Sequence, residues 1–137
     1  MITPNHAIFR QIFIECLQET KHTFDYLPAP NTPYPFVYIG ENSSVNTINF
    51  DVYGDTDITI HIYGLRSDRT AIDDLTVDIL SRISQITTAF GYFFTFKTCS
   101  QQDALDTTDV QPLIHRVLDV NFTYTRKDII ENGSRIN

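Results

Sequence analysis

Strict alternation of apolar and polar residues in the second quarter of the chain constrains its fold more than any other feature. The run from Asp57 to Tyr63 places isoleucine at every second position, a period of two that is typical of a strand with one buried face. The run from Val45 to Tyr53 alternates similarly, and the short apolar run from Phe36 to Ile39 precedes it. We therefore predict three antiparallel strands, with Gly54-Asp55 as a tight turn between the second and the third.

Two further segments carry the three- and four-residue apolar spacing of amphipathic helices. The first is predicted over about residues 4–21, because Thr3-Pro4 supplies a capping hydroxyl followed by a proline suited to the first helical position. The second is predicted to begin at a cap formed by Ser67 or Asp68, and Gly91 closes the helical region.

The C-terminal third predicts two more strands, Tyr92 to Cys99 and Leu113 to Arg126, joined by a polar connector from Ser100 to Gln111. The predicted fold class is therefore α+β, with a mainly antiparallel five-stranded sheet, two helices packed on one face, and the order α-β-β-β-α-β-β. Residues 1–126 are predicted to form a single domain, followed by a flexible C-terminal tail at 127–137.

The acidic balance of the chain argues against a protein that grips phosphate backbones. Seventeen acidic residues against ten Lys and Arg give a formal net charge of −7, whereas nucleic-acid binding normally needs clustered basic residues. Cys16 lies on the apolar side of the first predicted helix and is expected to be a free, buried thiol. No signal peptide or membrane-spanning run is recognisable, so we expect no membrane partner and a protein made in the cytoplasm.

Metal-dependent chemistry was considered at three aspartates of the predicted connector, Asp103, Asp106 and Asp109. Carboxylates bind divalent cations, but calcium loops place their oxygen ligands at alternate positions around a glycine, and these aspartates are three residues apart with no glycine between them. The connector is therefore interpreted as a solvated loop, and no metal or other cofactor is predicted.

A second candidate for chemistry is His61, which could form an acid–base pair with Asp57 or Asp119 across the sheet. No serine or cysteine lies in a nucleophile motif, and the glycines form no phosphate-binding loop. We therefore predict that the protein is not an enzyme and has no catalytic residues.

Acidic and aromatic residues in the predicted strands and turns instead indicate a surface that contacts other proteins. Aspartates gather in the predicted hairpin, and aromatic side chains on the outward side of strands are typical anchors of interfaces. The predicted interface residues are Asp51, Asp55, Asp57, His61, Tyr63 and Phe93.

The order of these parts resembles the tail terminator proteins, also called tail completion or head–tail joining proteins, of long-tailed bacteriophages with flexible tails. The resemblance extends over about residues 4–126: an amphipathic N-terminal helix, the proline-rich lead-in Pro28 to Pro35, PFVYIGE, an acidic segment ending DITIHIYG, a capped second helix and a closing pair ending VLDVNFTY. It implies a ring of copies of the chain, six in that family, which caps the tail tube, stops its elongation and docks to the head connector. The implied partners are the chain itself, the tail tube protein and the connector or head-closure protein, while phage DNA passes through without specific binding. The implied location is the host cytoplasm during assembly and then the head-proximal end of the virion tail.

Two alternatives remain open at the level of sequence. One is another ring protein of the phage neck, such as a head-closure protein. The other is a small metal-dependent hydrolase or ligand-binding domain of α+β class.

Overall fold

The computed structural model describes residues 2–44, 52–106 and 113–128. Within them lie two α-helices and six β-strands, and a 3₁₀ turn at Arg66–Asp68 leads into the second helix. The helices are α1 (Pro4–Glu19) and α2 (Arg69–Ile83), and the strands are β1 (Thr23–Phe24), β2 (Phe36–Ser44), β3 (Tyr53–Leu65), β4 (Thr88–Ala89), β5 (Tyr92–Asp106) and β6 (Leu113–Arg126). The α+β class is confirmed.

The sheet has six strands in the order β1-β2-β3-β6-β5-β4, not the five that the sequence predicts. It is also mixed, because β1 runs parallel to β2 while every other neighbouring pair is antiparallel. The two additional strands contain two residues each, too few to show any periodicity in the sequence. The four long strands form the body of the sheet, and β1 and β4 each cover only part of an outer edge.

Two predicted boundaries inside the sheet are wrong. Gly54 and Asp55 do not form a turn; they lie within β3 and pair with Tyr124 and Thr123 of β6. The predicted strand at Val45–Tyr53 falls largely on residues 45–51, which lie outside the described part of the chain. The predicted polar connector is also too long, since residues 100–106 continue β5 and pair with β6.

Both helices cover the same face of the sheet. Thr56 of β3 donates a hydrogen bond to Asn5 of α1 at 2.5 Å, and Gly64 of the same strand lies against Ile72 of α2. The isoleucines predicted to share one side of β3 are buried there, at 1% exposure or less. The core between helices and sheet includes Ile8, Ile12, Val37, Ile39, Ile58, Ile60, Ile62, Ile72, Ile79, Leu118, Val120 and Phe122.

The helix ends follow their local chemistry with two adjustments. The Thr3 hydroxyl accepts a hydrogen bond from the backbone N–H of His6 at 3.2 Å, so α1 begins as predicted and ends at Glu19. Asp68 occupies the cap position of α2, but its side chain makes no capping hydrogen bond. Gly91 does not close α2; with Phe90 it forms the two-residue turn between β4 and β5, where both residues have positive φ as such hairpins require. No helix in the described ranges is long and apolar enough to span a membrane.

We expect Gly64→Ala to destabilise the protein by overpacking the contact between β3 and α2. A methyl group at this position would lie 2.5 Å from Cδ1 of Ile72, and Ile72 is fully buried. The expected loss in the free energy of unfolding is about 1 to 2 kcal/mol, measured by urea denaturation. Because Ile72→Val removes that Cδ1 atom, the double variant should lose less stability than the sum of the two single variants. Simple additivity would contradict this account of the contact.

Candidate interaction surface

The face of the sheet opposite the helices, here called the open face, carries the predicted interface residues. Asp55, Asp57, His61 and Tyr63 occupy alternate positions of β3 whose neighbours in sequence point toward the helices. Phe93 of β5 reaches the same face through its pairing with residue 125 of β6. Asp51 lies outside the described residues.

One end of β3 carries a polar group of side chains that we call the acidic patch: Asp55, Asp57 and Asp119. Asp55 and Asp57 are exposed, and Asp57 accepts a hydrogen bond from the Asn121 side chain at 2.7 Å. Asp119 accepts one from the Thr59 hydroxyl, also at 2.7 Å. The carboxylates are thus oriented by neighbouring strands, while Asp55 and Asp57 remain in contact with solvent.

The other end of β3 carries a row of stacked rings, which we call the aromatic row: Phe36, Tyr38, His61, Tyr63 and His115. Tyr63 stacks between Phe36 and His115, with ring centroids 4.9 and 4.2 Å away. Tyr38 stacks on His61 at 5.3 Å. This row spans β2, β3 and β6, so it fixes the alignment of three strands from the open face.

Within the aromatic row, Nδ1 of His61 lies 2.7 Å from Nε2 of His115, so one imidazole donates a hydrogen bond and the other accepts it. His61 is 9% exposed. It is therefore paired with a second histidine, whereas Asp57 and Asp119, its suggested acid–base partners, bond to Asn121 and Thr59. The sequence did not point to His115, although its position opposite Tyr63 follows from the pairing of β3 with β6.

The predicted interface residues share a face but form separate groups. Asp55 and Tyr63 are eight positions apart on β3, about 26 Å at the rise of a strand. Phe93 lies near the acidic end, is 38% exposed, and has the Lys127 ammonium 5.4 Å from its ring centroid. Lys127 and Asp128 are the described part of the predicted flexible tail, and residues 129–137 lie outside the described chain.

The helix-covered face contains a charged network centred on Arg116 of β6, which is only 3% exposed. Asp103 of β5 binds its guanidinium through two oxygens, at 2.7 and 2.9 Å. Asp73 of α2 accepts a third bond at 2.6 Å, and the Thr76 hydroxyl accepts a fourth at 3.1 Å. The network therefore joins the distal half of β5 to β6 and α2.

The charges of this network stabilise one another. Hydrogen bonding to Arg116 lowers the pKa of Asp103, and hydrogen bonding to Asp103 raises the pKa of Arg116. The sequence signal for this network was an arginine at an inward position of β6, between Ile114 and Leu118. A charged residue at such a position requires buried partners, and the prediction of a solvated loop around Asp103 missed them.

The two cysteines are both free thiols. Cys16 is buried in the core as expected from its place on α1, and burial raises its pKa to about 12. Partial burial and the nearby Asp119 carboxylate raise the pKa of Cys99. Among the described residues, no three His, Cys, Asp or Glu side chains are grouped closely enough to hold a metal ion.

The sequence matches no family model and no curated protein. Among solved structures, a chain in the virion of the native gene transfer agent particle matches with a TM-score of 0.62 and 9% identity, covering 90% of this chain and 95% of that one. The fold is that of a virion protein. The gp17 protein of bacteriophage SPP1 is also similar, at 23% identity and a TM-score of 0.48, over 84% of this chain and 87% of that one.

Proposed function

We propose that this protein is a phage tail terminator, a structural protein that closes the head-proximal end of the tail tube. The observation that carries the proposal is the fold shared with a gene transfer agent virion protein over nearly the full length of both chains. The order of helices and strands, which resembles tail terminators, supports the same role. The protein acts through surfaces, and no bond-making step is part of the mechanism.

The proposed assembly is a homomeric ring, a hexamer by resemblance to the family, seated on the last layer of tube subunits. Tube subunits stack through repeated head-to-tail contacts, which do not end by themselves. A ring with one side complementary to the tube and a different second side stops this addition. The second side then provides the docking surface for the head connector or head-closure protein.

The open face is proposed to line the channel of this ring, with the helices outside. The acidic patch places exposed Asp55 and Asp57 on that face, and their negative charge repels the phosphate backbone of DNA. A conduit needs this property because the genome must pass without being held. Assembly takes place in the host cytoplasm, and the ring remains in the virion.

Deletion of the gene from its phage tests the proposal by electron microscopy of the particles produced. A terminator predicts tails without heads and of uncontrolled length, because nothing occupies the growing end of the tube. Tails of normal length attached to heads would contradict it. Full-length tails beside empty heads that have lost their DNA would instead assign the protein to head closure.

A further inference from the structure

The two outer edges of the sheet differ from the rest of the molecule in having long stretches without a partner strand. On one side, β4 pairs with β5 only at Tyr92 and Phe93, and Phe94 adds one hydrogen bond to residue 87. On the other side, β1 pairs with β2 only at Val37 and Tyr38. Beyond these points, neither edge pairs with another strand among the described residues.

The free part of β5 is strongly exposed. Of the ten residues 95–104, eight are exposed and the other two, Phe96 and Cys99, are partly exposed. β6, which pairs with this stretch, is buried at alternate positions. β5 thus extends as an outermost strand that the network of Asp103 and Arg116 holds against β6.

The free edge of β5 lacks the usual protection beyond its first residues. Proteins block exposed edges with proline, lysine or a bulge, because unpaired backbone groups invite another strand. β5 has a bulge between Phe96 and Thr98 and a lysine at position 97. Residues 98–106 contain no lysine and no proline.

We propose that residues 98–106 of β5 pair with the outer edge of β2, at Gly40–Ser44, in a second copy of this chain. The inference rests on the ring of the proposed function and names the interface that builds it. The two edges lie on opposite sides of one sheet, so each copy can offer β5 to one neighbour and β2 to the other. Repeated contacts of this head-to-tail kind close into a ring.

Strand directions determine the polarity of this pairing. β2 is antiparallel to β3, β3 to β6, and β6 to β5, so β2 and β5 run in opposite directions within the sheet. Rotation about a ring axis preserves those directions relative to the axis. The new pair is therefore antiparallel and extends the pattern already present between the long strands.

The short strands determine the stagger. Through the chain of pairings, Asn42–Ser44 of β2 are level with residues 96–99 of β5, and β1 is level with residues 102 and 103. A neighbour placed at the same height would bring its β1 against β5. Sliding the neighbour by about five residues, or roughly 17 Å, clears β1 and places Ser43 near Gln102.

Disulfide crosslinking tests this pairing in a Cys99→Ser background. Ser43→Cys is combined with Ser100→Cys, Gln102→Cys or Ala104→Cys, three positions of β5 two residues apart that allow for the register. Directly opposed strand residues are close enough for a disulfide. The expected result for at least one pair is a ladder of covalent species on a non-reducing gel, ending at the size that light scattering gives for the native assembly.

The matched controls are the single variants, which lack one half of each contact and should give no ladder because the interface joins unlike edges. A ring by light scattering that yields no ladder with any pair would overturn the edge pairing and leave the ring itself standing. A ladder from a single variant would also overturn it, since that requires like edges to meet. A chain that remains monomeric both alone and with tail tubes would overturn the pairing and the proposed ring together.

Discussion

Asp103→Ala is expected to lower the free energy of unfolding by about 2 to 3 kcal/mol, because it leaves a buried cation without two of its hydrogen bonds. Arg116 cannot lose its proton to escape this cost, and its side chain is only 4% exposed. The Asp73 and Thr76 contacts remain but do not reach the two guanidinium nitrogens that Asp103 binds. Urea denaturation followed by circular dichroism measures the change.

Arg116→Met provides the contrasting variant and should cost less, about 1 kcal/mol. It removes the buried charge and fills the same space, an exchange that is often close to neutral. The carboxylates it leaves behind can reach water, since the side chains of Asp73 and Asp103 are 55% and 34% exposed. Asp78→Ala, at an exposed position of α2, is the control and should change stability by no more than about 0.5 kcal/mol. A larger loss for Arg116→Met than for Asp103→Ala would contradict the account.

Acid pH should reduce the difference between the parent and Arg116→Met. The pKa of Asp103 is lowered in the folded protein by hydrogen bonding to Arg116, so its carboxylate stabilises the native state above the unfolded pKa of about 4. That contribution is lost as the pH falls through the lowered folded pKa. Denaturation curves at pH 6 and at progressively lower pH should therefore converge for the two proteins.

The predictable parts of this fold are those whose residues repeat with a regular period. The isoleucines of β3 indicate a strand buried on one face, and the capping pair Thr3-Pro4 predicts the start of α1 correctly. β6 was predicted with its observed bounds, Leu113 to Arg126, because its alternation is long and its ends lie beside polar residues. Both helices lie on the face that their apolar stripes required.

The errors arise where a tertiary contact overrides a local pattern. Gly54-Asp55 has the composition of a turn, yet pairing with β6 keeps it extended. Residues 100–106 are polar enough for a loop but form a strand, because Arg116 binds Asp103 from the neighbouring strand. β1 and β4 are held by pairing at two positions each, and no window of sequence that short carries a signal.

The predicted interface was correct as a face but not as one patch. Alternation alone put Asp55, Asp57, His61 and Tyr63 on one side of β3, and they lie there. Their separation into an acidic patch and an aromatic row depends on β2 and β6, whose side chains complete each group. Register between strands distant in sequence is not encoded in any one of them.

Reversing the charge of the acidic patch is expected to abolish infectivity while leaving the fold intact. The variant is Asp55→Lys with Asp57→Lys, at two exposed positions of the open face. In a ring whose channel is lined by this face, new ammonium groups would bind the DNA backbone that the carboxylates repel. The stability cost should be small, because only the exposed contact between Asp57 and Asn121 is lost.

The matched control is Asp74→Lys with Asp78→Lys, two exposed aspartates of α2 on the helix side of the sheet. It changes the net charge of the chain by the same amount but leaves the open face unaltered, so plaque formation should persist. Both variants are compared by urea denaturation, by tail length in electron micrographs and by plaque counts. Loss of infectivity in both would assign the effect to net charge, whereas full infectivity of the patch variant would exclude the acidic patch from the passage of DNA. Because the two pairs lie on opposite sides of one sheet, a difference between them would show which side of the subunit faces the genome.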